Sequence, residues 1–286
     1  CDPIKFEFIC KKYSVDTIFH AAAYKHVPLV ELNPINSINN NVFSTLNICI
    51  AAKELSLKKV LMISSDKAVR PTNIMGASKR LSEIIVQAFA HDAEKNLLNK
   101  KEKKTCFSMV RFGNVLSSSG SAVPLFIKQI SSGGPVTLTH PKITRYFMTI
   151  KEASQLVIQS SAMAQGGEVF LLDMGKSISI RDLVIKLIKL SGLQLRDDSN
   201  TNGDIEIKIT GLRPGEKLYE ELLIDAQAEK TDHPLIFRAK EKFILMEEII
   251  PELENLKNLI EERNKDQILK KLNELVKEWQ NQNELD

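Results

Sequence analysis

Short apolar runs alternate with longer amphipathic stretches over residues 1–113, and this alternation constrains the fold more than any other feature. Thr17-Ile18-Phe19, Lys59-Val60-Leu61-Met62-Ile63-Ser64 and Phe107-Ser108-Met109-Val110-Arg111 are strand-length runs with nearly continuous apolar character. Before and between them lie a helix over 3–13, with Phe6, Ile9 and Cys10 on one side, and a helix carrying Leu46, Ile50 and Leu55 after the polar stretch 33–41. A long helix over 77–90 follows. Strands buried on both faces lose the polar half of their pattern, and a strand–helix–strand order makes neighbouring strands parallel. The fold class expected is α/β, a doubly wound parallel sheet.

Beyond residue 113 the pattern loosens. Strand-like pieces at 136–139, 168–172 and 205–209 are mixed with short helices. Thr149-Ile150-Lys151-Glu152 and Ser179-Ile180-Arg181-Asp182 have the form of helix-starting capping boxes, and Gly192 suits a helix stop. This mixture predicts a smaller mixed α/β region. In the tail, Leu253, Leu256 and Ile260 precede Leu269, Leu272, Val276 and Trp279, with polar residues from Asn264 to Asp266 between them. That spacing predicts a C-terminal helical hairpin. The division expected is 1–115 for the sheet, 116–250 for the mixed region with returns to the sheet, and 251–286 for the hairpin.

Composition excludes several classes. With 43% hydrophobic and 26% charged residues the chain is neither disordered nor fibrous. A formal charge of +3 gives no nucleic-acid footprint. No apolar run approaches the ~18 residues of a spanning helix, so no membrane contact by this segment is expected. Cys1, Cys10, Cys49 and Cys106 show no C-x-x-C spacing and read as free thiols of a reducing, cytoplasmic compartment. His20 and His26 lack a second ligand at metal spacing, so they read as packed histidines and no metal is expected. The basic run Lys100–Lys104 reads as a solvated connection. The opening Cys1-Asp2-Pro3 has the look of a protein interior, and a preceding segment is expected.

Ligands of a parallel sheet bind beyond the carboxyl ends of its strands. Three such ends carry unusual residues here: Ala21–His26, Ser64–Lys67 and Arg111–Asn114. Ser64-Ser65-Asp66-Lys67, followed by Lys79 at the start of the next helix, places hydroxyls, a carboxylate and amines together. Those groups can supply a hydrogen bond, a general acid and a general base.

The segments Phe19-His20-Ala21-Ala22-Ala23-Tyr24-Lys25-His26-Val27-Pro28, Ser65-Asp66-Lys67-Ala68-Val69-Arg70-Pro71-Thr72-Asn73, Arg111-Phe112-Gly113-Asn114-Val115 and Leu212-Arg213-Pro214-Gly215-Glu216-Lys217 occur in one order along the chain. In that order they resemble the extended short-chain dehydrogenase/reductases, and more narrowly the nucleotide-sugar 4,6-dehydratases of bacterial surface polysaccharide synthesis. The sequence departs from the superfamily twice. Met75 stands where the tyrosine of Tyr-x-x-x-Lys would be, and none of Tyr13, Tyr24, Tyr146 and Tyr219 replaces it. This resembles a Met-bearing branch that acts on UDP-N-acetylglucosamine and retains configuration at C5. No glycine forms the G-x-G-x-x-G fingerprint. The first strands of the Rossmann-like sheet are therefore expected upstream, and this polypeptide alone is expected to bind dinucleotide weakly.

The resemblance implies a water-eliminating enzyme that uses NAD or NADP in a closed cycle on a UDP-sugar. The parent is expected to be a homo-oligomer, with relatives that carry membrane anchors upstream. It implies catalytic roles for Ser65, Asp66, Lys67, Met75 and Lys79. It implies cofactor contacts from Ala21, Ala22, Ala23, Asn41, Ser64, Lys79 and Phe112. Substrate contacts fall to Lys25, His26, Asn73, Asn114, Arg145, Arg213 and Glu216. The alternatives are a C5-inverting dehydratase, a 4-epimerase, or a non-catalytic binder of nucleotide sugar or NAD(P).

Overall fold

The computed structural model describes residues 2–98, 105–221 and 228–280. Cys1 and the basic run at 100–104 lie outside the described residues. The chain forms two compact units. The larger comprises residues 1–112, 155–173 and 221–286, and the smaller comprises 113–154 and 174–220.

In the larger unit, strands β1 (Thr17–His20), β2 (Lys59–Ile63), β3 (Cys106–Arg111) and β4 (Val169–Leu172) run parallel in that spatial order. β5 (Glu229–Lys230) and β6 (Ile236–Ala239) extend the sheet antiparallel in the order β4-β6-β5. The central registers pair Ile18 with Val60, Val60 with Phe107 and Val110 with Phe170. Val60, Leu61 and Met62, together with Phe107, Met109 and Val110, are almost wholly buried, as two-sided coverage requires. The strand expected at 168–172 thus belongs to this sheet.

Helix α1 (Pro3–Lys12) starts with Pro3 in its first turn and Asp2 Oδ1 accepting from Lys5 N at 3.2 Å. Its buried residue is Cys10, whereas Ile9 is 41% exposed, so the expected stripe of Phe6, Ile9 and Cys10 is only partly covered. The stretch 33–41 differs from the sequence reading. It is helical, with α2 (Val27–Leu32) before it, α3 (Pro34–Ile38) within it and a π-turn over Asn39–Phe43 leading into α4 (Ser44–Glu54). Asn33 and Asn36 face solvent, but the buried Asn41 serves internal partners: its carboxamide accepts from Tyr24 N at 2.7 Å and donates to Tyr24 O and Ser78 Oγ, both at 3.0 Å. A π-turn adds a residue to one turn and shifts the phase of all that follows. The buried face of α4 is Ile48, Cys49 and Ala52 with Ser44, Thr45 and Ala51, while Ile50 faces outward and Leu46 and Leu55 are only half-buried.

Helix α5 (Ile74–Leu98) is longer than expected and packs its first four turns wholly inside the unit. The tail forms α6 (Met246–Glu261) and α7 (Lys265–Leu275), separated where the sequence predicts. Asn264 caps the second of them by accepting from Gln267 N. Leu253, Leu256, Leu272 and Trp279 join the same apolar cluster as Ile74, Met75 and Leu81 of α5.

The smaller unit has a three-stranded parallel sheet of Leu195–Arg196, Ile205–Ile209 and Val136–Leu138. Helices Ala122–Ser131 and Ile180–Leu190 cover it, with Phe126, Ile130, Val184 and Ile188 filling the core. Thr149 and Glu152 form the full capping box, exchanging bonds between side chain and backbone, whereas at Ser179 only the N-cap half forms, Ser179 Oγ accepting from Asp182 N. Gly192 follows the second helix at φ +75°.

One glycine fixes how α5 meets the end of β2. A Cβ on Gly76 would lie 2.2 Å from the carbonyl oxygen of Lys67. Both atoms belong to backbone, so neither can swing away. Gly76→Ala is expected to destabilise the protein by at least the ~1–3 kcal/mol of an overpacked core. Urea unfolding of the variant measures this, and wild-type stability would show that the 66–76 turn is not held as described.

Candidate active site

The carboxyl ends of β1, β2 and β3 gather most of the groups that the sequence singles out in the larger unit. After β2 the chain enters a single 3-10 turn, Asp66–Ala68, started by Ser65 Oγ accepting from Lys67 N. Asp66 is 1% exposed. Its Oδ1 accepts from Ser65 Oγ at 2.8 Å and from Lys67 Nζ at 2.9 Å. Its Oδ2 is buried and has no hydrogen-bond partner in the structure. A buried carboxylate oxygen without a donor costs free energy that the fold does not recover locally.

Lys79 lies in the second turn of α5 and is 6% exposed. Among the described residues its one hydrogen bond goes to Ile63 O, at 2.7 Å. Burial lowers its pKa to about 8, and the Glu83 carboxylate one turn on opposes that shift. His20, at the end of β1, is held neutral with its pKa down to about 4, by burial and by the nearby Lys79 charge. Its Nε2 lies 3.0 Å from Thr45 Oγ1. That hydroxyl already donates to Asn41 O, so His20 Nε2 must carry the proton. Asn41 O also accepts from Ser82 Oγ, a carbonyl made available by the π-turn.

Met75 is 3% exposed and packed in the core. Asn73 begins α5: its Oδ1 accepts from Gly76 N at 2.8 Å, while Glu31 from α2 accepts from Ile74 N at 2.7 Å. Ser64 is buried and donates to Glu83 Oε1 at 2.6 Å. Ala21 and Ala22 lie exposed just beyond β1, with Ala23 half-covered, and Lys25 and His26 are exposed on the same turn. Phe112 is half-buried at the end of β3, its carbonyl accepting from Asp66 N.

Beneath these groups lies a buried ion network that the sequence reading missed. Arg111 donates through Nε to Glu83 Oε1 at 2.7 Å and grips Glu241 with two bonds of 2.6 Å. Arg80 contacts Glu83 and Glu241 at 3.2 Å each, Glu278 at 2.8 Å and Lys242 O at 2.8 Å. Burial pushes the Glu83 carboxyl up, but the facing Arg111 and Arg80 guanidiniums outweigh it and hold it below the usual range. The available signal was the spacing of Lys79 and Glu83, four apart in a helix otherwise apolar around Leu81, Ile84 and Ile85.

The smaller unit holds a separate cavity of about 210 Å³, whose lining includes Asn114, Thr139, Arg145, Phe147, Arg213 and Glu216. Arg145 is fixed by its own turn. It donates to the carbonyls of Thr144, Lys217 and Leu218 at 2.8–3.2 Å and faces Glu216 and Glu220 at 3.7 and 3.6 Å. Glu216 accepts from Thr139 Oγ1 and Arg213 N, closing the 213–216 turn around Gly215 at φ +73°. Arg213 is exposed at this cavity. The cavity therefore presents one pre-set and one accessible guanidinium. Among the described residues no three His, Cys, Asp or Glu side chains cluster as metal ligands, and no helix is long and apolar enough to cross a membrane.

Fold and site together define a short-chain dehydrogenase/reductase-like α/β protein. A family profile described as "Polysaccharide biosynthesis protein" matches residues 2–241, and the chain belongs to that family. It is 54% identical over 215 residues to the capsular polysaccharide biosynthesis protein CapD of Staphylococcus aureus, covering 75% of this chain and 33% of CapD. The chain thus spans about a third of the length of that curated relative. Among solved structures, Pen from Bacillus thuringiensis superposes with a TM-score of 0.69 at 36% identity, covering 80% of this chain and 68% of that one. The dTDP-glucose 4,6-dehydratase DesIV of Streptomyces venezuelae, solved with NAD and TYD bound, shares the fold at a TM-score of 0.64 and 19% identity, over 76% of this chain and 66% of that one.

The buried His20 generates a pH prediction. Its folded pKa lies below the unfolded value of 6.5, so the unfolded state binds the extra proton. Stability is complete above pH 6.5 and declines as pH falls toward 4, by up to ~3 kcal/mol from this group. Denaturant unfolding from pH 7.5 to 4.5 should show that loss, and His20→Gln should flatten it. An equally steep loss in the variant would assign it elsewhere.

Proposed function

We propose that the protein is a nucleotide-sugar dehydratase of polysaccharide synthesis, with UDP-N-acetylglucosamine as substrate, C5 configuration retained, and a 4-keto-6-deoxy sugar as product. The observation that carries this reading is the buried, partnerless Oδ2 of Asp66, held beside Lys67 and Ser65. A buried carboxylate oxygen of this kind, beside an amine and a hydroxyl at a strand end, suits a group that a ligand completes.

The residues fit a dinucleotide. Lys79 has three ammonium donors and one described acceptor, which leaves donors for ribose hydroxyls. Ala21, Ala22 and Ala23 offer small side chains at the end of β1, where a cofactor can approach the backbone closely. NAD(P), when bound, supplies the hydride acceptor and donor of the cycle. Asn41, Ser64 and Phe112 serve this region indirectly, through Tyr24, Glu83 and Asp66 N.

The elimination belongs to the chain's own residues. With C4 at the ketone level, the adjacent C5 proton is acidic. Lys67, as the free amine, takes that proton, and Asp66 protonates the departing C6 hydroxyl so that water leaves. Ser65 steadies the C4 oxygen. Arg213 pairs with the diphosphate, Glu216 suits a ribose diol, and Asn114 contacts the diphosphate or the sugar, with Arg145 a second guanidinium at the same cavity, already faced by Glu216 and Glu220. Asn73 acts here as a helix cap, and Lys25 and His26 are the exposed candidates for substrate contact.

Two tests follow. In the complete protein, Lys67→Ala should abolish both water loss and deuterium entry at C5. Asp66→Asn should spare C5 exchange better than water loss. Met75→Ala should keep substantial activity, since a thioether cannot act as the base that a phenolate provides. Mass spectrometry of UDP-N-acetylglucosamine incubated in heavy water reads all three, and full C5 exchange in Lys67→Ala would overturn the base assignment. Arg213→Ala should raise KM about 10–100-fold, as losing a hydrogen bond to a charged group implies, with kcat nearly unchanged. A collapsed kcat at constant KM would instead place Arg213 in the chemistry.

A further inference from the structure

The family profile ends at residue 241, yet the chain beyond it makes two contacts that flank the stretch from the Asp66–Lys67 turn into α5. The first contact is backbone: Gln280 N donates to Pro71 O at 2.9 Å. Pro71 follows Arg70, whose φ of +40° is a left-handed conformation rare outside glycine. The second is ionic: Glu278 accepts from Arg80 Nε at 2.8 Å, and Arg80 is itself 1% exposed within the Glu83–Arg111–Glu241 network. Val276 and Trp279, both buried, seat the segment that makes these contacts in the same core as Ile74 and Met75.

The turn from Asp66 to Gly76 has little regular structure of its own. It consists of one 3-10 turn, the left-handed Arg70 and the Asn73 cap of Gly76. A segment of this kind keeps one conformation only when neighbours over-determine it. Its carbonyl at Pro71 and the Arg80 side chain in the second turn of α5 are each held, wholly or in part, by residues 278–280. We propose that the C-terminal helical pair and the turn after it form a clamp that positions the Asp66–Lys67 pair, with Glu278 as its positioning residue. The clamp itself is a statement about the fold; its catalytic consequence rests on the dehydratase reading above.

The test uses the complete protein with Glu278→Gln, which keeps the shape and removes the charge. Hydrogen exchange followed by mass spectrometry should show the 66–76 peptide exchanging about tenfold faster, the factor for ~1.4 kcal/mol of lost local stability. The peptide over 106–111 should stay unchanged. Gln280→Pro deletes the N–H that reaches Pro71 without touching Arg80, and should give the same local signature. On the UDP-sugar, Glu278→Gln should lower kcat about tenfold per folded protein at unchanged KM. The ratio of C5 exchange to water loss should also change, which a smaller folded fraction alone cannot do. Glu278→Asp should restore part of both. Uniformly faster exchange over all peptides, or an unaltered 66–76 peptide in both variants, overturns the clamp whatever the activity. A local response in a protein that eliminates no water upholds the clamp and removes the dehydratase reading.

Discussion

The carboxylate of Glu83 is the point on which the larger unit depends. It is fully buried and is shared by Arg111 at the end of β3, Arg80 on its own helix and Ser64 at the end of β2. Stripping water from such a group is costly, and an apolar trio of similar volume would often be no less stable. Removing one partner alone strands the others, so what the network enforces is relative placement. Helix α5 can sit on the sheet in only one rotation that satisfies all three. That rotation puts Lys79, one turn earlier, against Ile63 O.

Two lysines consequently occupy contrasting surroundings. Lys67 is paired directly with Asp66, and its side chain is 24% exposed. Lys79 has no carboxylate within bonding distance among the described residues; its nearest named negative charge is Glu83, already held by two guanidiniums. Three carboxylates and two guanidiniums in the network leave one net negative charge, which offsets the Lys79 ammonium without a direct contact. Its lowered pKa, about 8, follows from burial in a dry site, which the Glu83 carboxylate only partly opposes.

Much of the architecture was legible because it follows from local rules. Continuous apolar strands predicted the parallel sheet, and hydroxyl–acid spacing predicted the helix starts at Thr149 and Ser179. What was not legible depends on partners distant in sequence. Asn41 was singled out by the resemblance alone, since its partners Tyr24 and Ser78 come from other segments of the chain. The face of α4 could not be read because small and polar residues, Ser44, Thr45, Ala51 and Ala52, fill much of its buried side. Arg145 carries the pattern of a phosphate ligand, yet three carbonyls and two glutamates of residues 144 and 216–220 fix its guanidinium. Ser65, Asp66 and Lys67 were legible for the opposite reason: adjacent residues on one turn keep their chemistry together wherever the turn goes.

Met75 brings these lines together. A tyrosine at this place would bring a hydroxyl that needs a hydrogen-bond partner. Here the position is 3% exposed, in a cluster shared with Ile74, Leu81 and Leu272, and a thioether satisfies that setting without polar demands. The start of α5 then contributes packing, a capped N-terminus and, in its second turn, the buried Lys79. The titratable groups of the preceding turn are Asp66, whose second oxygen is buried without a partner, and Lys67 beside it. In the proposed reaction those are the groups assigned to C6 and C5. The missing phenol therefore narrows the chemistry of the turn without abolishing it, provided that the turn is held still.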